Sequence, residues 1–132
     1  MNASGLAPIA PGLWTDEAEP RLIGGRKDNG EIVFPVPAGE SGAVLDKVFL
    51  ARRGTLWSWT SQEFQPKPPY EGTLPFRPYL VGYVELLGEV IVETLIVDTV
   101  IEDLKLGLPM EFAVVPFSET RSTFAFRPEP QQ

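Results

Sequence analysis

Glu85 is the side chain in this sequence with the strongest claim to chemistry. It stands in an apolar run, with Val84 before it and Leu86 and Leu87 after it. If it points inward it must be paired or raised in pKa, and a buried carboxylate can serve as a general acid or base. An ion pair with Arg121 or Arg127 is the expected role if Glu85 points inward. Asp98, Glu102 and Asp103 gather oxygen donors within six positions of each other. Their spacing is not that of a calcium loop, and a capped helical turn explains them better. Arg52 and Arg53, with Lys47 upstream, form a basic cluster that could meet a phosphate, and a solvated turn is expected instead. Trp57 and Trp59, with Phe64 beyond, offer faces on which a base would stack with about 1–3 kcal/mol. Large aromatics more often serve a core or an interface.

Composition excludes much catalytic chemistry. Neither cysteine nor histidine occurs among the 132 residues. Disulfides, thiol nucleophiles, thiolate or imidazole zinc sites and the usual general base near neutral pH are therefore ruled out. No Ser, Thr or Lys lies beside a recognisable base, so an enzyme built on Glu85 with Tyr79 or Tyr83 is the weakest reading. Eleven Lys and Arg against 18 Asp and Glu leave a net charge of −7, which opposes phosphate neutralisation by nucleic-acid binders. No apolar stretch reaches the roughly 20 residues of a membrane span. The opening MNASGLAPIAPGLW lacks the basic start and apolar core of a secretory signal, so a soluble, cytoplasmic chain is expected.

The elements that must hold these side chains are strands. Twelve Gly and 14 Pro argue against long helices. Residues 55–64 alternate, which predicts a strand with Thr55, Trp57, Trp59 and Ser61 on one face and Leu56, Ser58, Thr60 and Phe64 on the other. Residues 79–87 are apolar on both faces, predicting a covered strand with Gly82 as a bend or bulge. The turn at Leu87, Gly88 and Glu89 leads into the β-branched run 90–97, which completes a hairpin. The stretch 99–106 predicts one helical turn, with Thr99 as N-cap, Glu102 as its capping-box partner and Gly107 as its stop. Strands over 110–117 and 120–126 follow. Five strands with one short connector suit an all-β, Greek-key barrel of OB type.

Three segments in this order resemble a known family. They are LIGGRKDNG over residues 22–30 followed by Phe34 and Pro35, GTLWSWT over 54–60, and the stretch from Pro78 and Tyr79 through Val84, Glu85 and Leu86 to DLKLGLPME over 103–111. The chain is similar to the acyl-CoA-associated proteins that join an N-terminal rubredoxin-like zinc ribbon to a C-terminal OB-fold. That family carries two Cys-x-x-Cys knuckles, and Arg26, Asn29, Ala38 and Ser41 occupy the corresponding positions here. The resemblance thus implies an N-terminal arm and degenerate, metal-free ribbon over residues 1–45, an OB barrel over 46–127 and a tail over 128–132. Gly30 and Gly42 still follow the vacated positions, so the knuckle turns are expected to persist. Packing of Leu22, Ile32, Val33 and Phe34 and side-chain bonds from Asn29 and Ser41 would hold them.

The resemblance implies a non-catalytic accessory subunit, without a cofactor of its own. Its partner would be a thiolase-fold enzyme acting on acyl-CoA: a thiolase, an acyltransferase or a lipid-transfer-protein-like aldolase. Such a subunit stabilises its partner and helps form the acyl-CoA channel, with neither nucleic acid nor membrane as partner. Trp57, Trp59, Tyr70, Phe76 and Arg77 are the expected channel residues, the last three on the Pro-rich stretch PKPPYEGTLPFRP over 66–78. Leu13, Trp14, Phe34, Pro35, Pro37 and Phe76 are the expected partner surface. The alternative is a stand-alone OB module for a small ligand or single-stranded nucleic acid.

Overall fold

The computed structural model describes residues 6–10, 12–63 and 78–130. Its elements in chain order are β1 (Ala7–Pro8), β2 (Ile23–Arg26), β3 (Ile32–Val33), α1 (Glu40–Ala43), β4 (Asp46–Phe49), β5 (Arg53–Gln62), β6 (Tyr79–Leu86), β7 (Val90–Ile96), a 3-10 turn (Ile101–Asp103), β8 (Pro109–Pro116) and β9 (Arg121–Pro128). Among the described residues no helix is long and apolar enough to cross a membrane.

Alternating apolar residues close the last five strands into a barrel. β5, β6 and β7 pair antiparallel in sequence order. β9 then lies parallel to β7 and antiparallel to β8. β8 returns to β5, with Gly54 opposite Met110, and the sheet closes. This is the five-stranded Greek-key order of an OB-fold, as expected, and closure removes the free edges that invite aggregation. The β6–β7 hairpin forms where the sequence predicts it. Gly88 takes φ 80°, and the Glu89 amide donates to the Leu86 carbonyl at 2.8 Å. Val84, Leu86, Val92, Ile96, Met110, Phe112 and Phe126 are buried. Each such side chain contributes about 1.5–3 kcal/mol relative to exposure.

The connector between β7 and β8 departs from expectation. It is a three-residue 3-10 turn preceded by extended Val100, without a side-chain cap. The Thr99 hydroxyl donates to the Val100 carbonyl at 3.4 Å. So short a segment needs no capping box, because Leu104 and Leu108 anchor it by burial. Gly107 still marks its end at φ 83°, and its amide donates to the Leu56 carbonyl at 2.8 Å.

The N-terminal segment forms a second sheet in the order β3-β2-β4. β4 pairs with β2 from Ile23↔Phe49 to Arg26↔Asp46, so residues 46–49 bond within this small sheet. Leu22 and Leu50 belong to the same buried cluster as the barrel core. An aromatic clamp joins the two sheets. Phe124 receives Trp14 edge-on at 6.4 Å and Phe34 edge-on at 5.6 Å. Such pairs contribute about 0.5–1.5 kcal/mol beyond their burial. Phe124 pairs with Val114 in register two positions from Phe112↔Phe126, so the clamp continues the row of barrel side chains.

Two groups of charges reinforce these joints. Arg52, expected in a solvated turn, donates to the Pro20 carbonyl at 3.0 Å and lies 5.8 Å over the Phe112 ring. It fastens the arm to the barrel through its stem and guanidinium together. Arg53 pairs with Glu129 at 3.0 Å, and the Glu129 amide donates to the Pro109 carbonyl at the same distance, so the chain is still held to the barrel there.

Candidate interaction surface

β5 does not keep the simple alternation its sequence suggests. Leu56 pairs with Val84, but Ser58 rather than Trp57 pairs with Tyr83, and the register shifts between them. A bulge therefore inserts Trp57 as an extra residue and reverses the strand's inward and outward positions beyond it. Leu56 stays buried before the bulge, and Trp59 packs against the core after it. Trp57 is turned outward and remains 55% exposed. The two tryptophans, expected on one face, stand on opposite faces. Gly82 is not the bulge. It lies opposite Trp59, buried, where a close approach of backbone and side chains leaves no space for a Cβ.

The outer face of β5, β6 and β7 gathers around Trp57. Its ring meets Tyr83 edge to face, with centroids 6.4 Å apart and planes at 89°. Tyr83 lies opposite Glu93 on β7, and Glu85 lies opposite Ile91. Tyr83 and Ile91 are each 41% exposed. Glu85 thus belongs to the outward set, since its neighbours Val84 and Leu86 fill the inward positions. Its expected pairing does not form. Arg127 reaches Glu111 at 2.9 Å and Asp98 at 3.6 Å, and Arg121 donates to the Pro8 carbonyl at 3.4 Å. Glu85 thus stands on the barrel's outer face, away from the interior where that ion pair was expected.

The remaining predicted site residues fall in three places. Tyr70, Phe76 and Arg77, like Phe64, lie outside the described residues. Trp14 and Phe34 are half-buried in the Phe124 clamp, and the Leu13 carbonyl accepts the Ile23 amide at 2.9 Å. Pro35, joined to Phe34 by a cis peptide, and Pro37 are both exposed. Arg26 ends β2, Asn29 turns towards β3, and Ala38 and Ser41 flank the start of α1. The Asn29 side-chain oxygen accepts the Glu31 amide at 2.9 Å, the side-chain to backbone bond expected of it. Gly42 lies in α1 where a Cβ would run into the Pro37 carbonyl oxygen, so only glycine fits this turn.

A cavity of about 790 Å³ opens between the arm and the barrel, lined among others by Pro8, Trp14, Asp16, Glu17 and Val114. Its charged lining residues are carboxylates, which suit neither a CoA phosphate nor a nucleic-acid backbone. Tyr83, Ile91 and Glu93 were not singled out together from sequence. The signal for them was the outward set of the β6–β7 hairpin, which only joins Trp57 once the bulge is known.

Comparison with curated proteins gave no match. A solved structure of an "Ltp2-ChsH2(DUF35) aldolase" contains a chain similar in fold, with a TM-score of 0.62 and 22% identity over 83% of this chain and 86% of that one. The family described as the ChsH2 C-terminal OB-fold domain matches residues 47–115, from β4 to the end of β8 and more than half of the sequence. With that match and a barrel closed in OB order by β5 to β9, this chain belongs to the ChsH2 C-terminal OB-fold family.

Proposed function

We propose that the chain is a non-catalytic accessory subunit of a thiolase-fold enzyme that acts on acyl-CoA, which it stabilises and whose acyl-CoA channel it helps to form. Membership of the ChsH2 family is the observation that carries this reading. The solved structure similar in fold is named for Ltp2 together with ChsH2 and for an aldolase, which favours a partner of that class. The outward Trp57 and Tyr83 give the barrel a surface suited to association. The site of action is the cytoplasm. Nucleic acid is disfavoured by the net charge of −7 and by the carboxylates on the barrel's outer face. Stoichiometric co-purification with a thiolase-fold protein tests the reading, and turnover of acyl-CoA by the isolated chain would contradict it.

The ribbon is proposed to hold its shape without metal. Asn29 and Gly42 maintain the two turns, while Leu22 and Leu50 supply the burial that a metal would otherwise reinforce. Protein made in zinc-supplemented medium is expected to carry no stoichiometric zinc on elemental analysis. One zinc per chain would contradict this account.

A further inference from the structure

The bulge at Trp57 separates a side chain with a core function from one without. Leu56 and Trp59 serve the barrel interior, whereas Trp57 is turned out onto the face of β5, β6 and β7. Bulges re-aim side chains at functional positions at the expense of regular ladder bonds. Trp and Tyr are also the residue types that dominate binding hot spots. Here Trp57 and Tyr83 stand in edge contact at the centre of an exposed face, with Ile91 beside them.

Charge decides what covers this face. Glu85 and Glu93 stand within it, and the one cation on the three strands, Arg53, is already paired with Glu129. A second copy of the chain docked about a two-fold axis would set these carboxylates against their own mates, which costs affinity. A nucleic-acid backbone or a CoA phosphate would meet the same repulsion. The geometry points to a protein partner whose surface offers an apolar centre for Trp57 and Tyr83, rimmed by Lys or Arg opposite Glu85 and Glu93. This inference rests on the accessory-subunit reading and names the surface through which that subunit docks.

The test uses the full chain and the protein that wild-type chain captures in stoichiometric amount from its host, with binding measured between the two purified components. Trp57→Ala is expected to weaken binding about 30-fold or more, the loss typical of a hot-spot aromatic. Glu93→Lys is expected to weaken it about tenfold, mainly by slower association, with the difference shrinking as salt approaches about 1 M. Val44→Lys, at a 77% exposed position at the end of α1, should bind as wild type does. Both test positions are exposed, so melting temperatures should match wild type and separate docking from folding. If a partner is captured but Trp57→Ala and Glu93→Lys bind it at wild-type affinity, the docking face is wrong and the subunit reading stands. If wild-type chain captures no stoichiometric partner, the subunit reading fails and this inference with it. A homodimer that Trp57→Ala dissolves would overturn the choice of partner.

Discussion

Phe126→Ala is expected to remove about 3–5 kcal/mol of stability, the range for deleting a buried phenylalanine ring from a core. Phe126 is fully buried, and its ring meets Phe112 edge to face at 5.9 Å. It also lies on the strand that closes the barrel, opposite Phe112 on one side and paired with Ile96 in the parallel ladder on the other. The deletion therefore opens a cavity where two pairings meet. A domain of this size is stable by about 5–15 kcal/mol, so the variant would lose a large share of its margin. Urea unfolding measures the loss as a shift in midpoint at unchanged slope. A loss below about 1 kcal/mol would mean that the closing seam is not the centre of the core.

Gly82→Val is expected to disrupt the barrel by overfilling it. A Cβ at this position would stand 2.5 Å from the Ile96 Cδ1 and 2.6 Å from the Ser58 carbonyl oxygen. The isoleucine tip can rotate away, but the carbonyl belongs to β5 immediately after the bulge and is fixed by the ladder. Overpacking of this kind costs about 1–3 kcal/mol, and a branched side chain pressed against backbone belongs at the upper end or beyond. Gly82→Ala should show the same effect in smaller measure. Thermal melts of the two variants would order them as wild type, Ala, Val. An alanine variant as stable as wild type would show that β5 and β6 approach less closely than described.

Much of the barrel was legible because its signals are local. Gly88 between a two-sided apolar run and a β-branched run predicts a hairpin whatever surrounds it, and Gly107 marks the end of the connector by its own backbone requirement. The bulge at Trp57 was not legible. Period-two reasoning assigns faces by counting, and one inserted residue reverses every assignment beyond it. Trp57 and Trp59 were therefore expected on one face, and the outer face with Tyr83 and Glu93 went unread. Glu85 fails as an inward carboxylate for a related reason. Its apolar neighbours suggest burial, yet alternation places Val84 and Leu86 inside and leaves Glu85 out. The capping box at Thr99 and Glu102 fits a motif that the chain has no room to build in a three-residue turn. Nothing local in the sequence marks the clamp that Trp14 and Phe34 form on Phe124. Their contact with Phe124 spans about 90 to 110 positions of sequence, beyond any pattern read along the chain.

The central claim is that this barrel works as part of another enzyme, and the most direct measurement is what accompanies the tagged full chain from its native host at physiological salt. A thiolase-fold protein is expected in stoichiometric amount, co-eluting on size exclusion and identified by mass spectrometry. A chain that elutes alone as a monomer would contradict the claim.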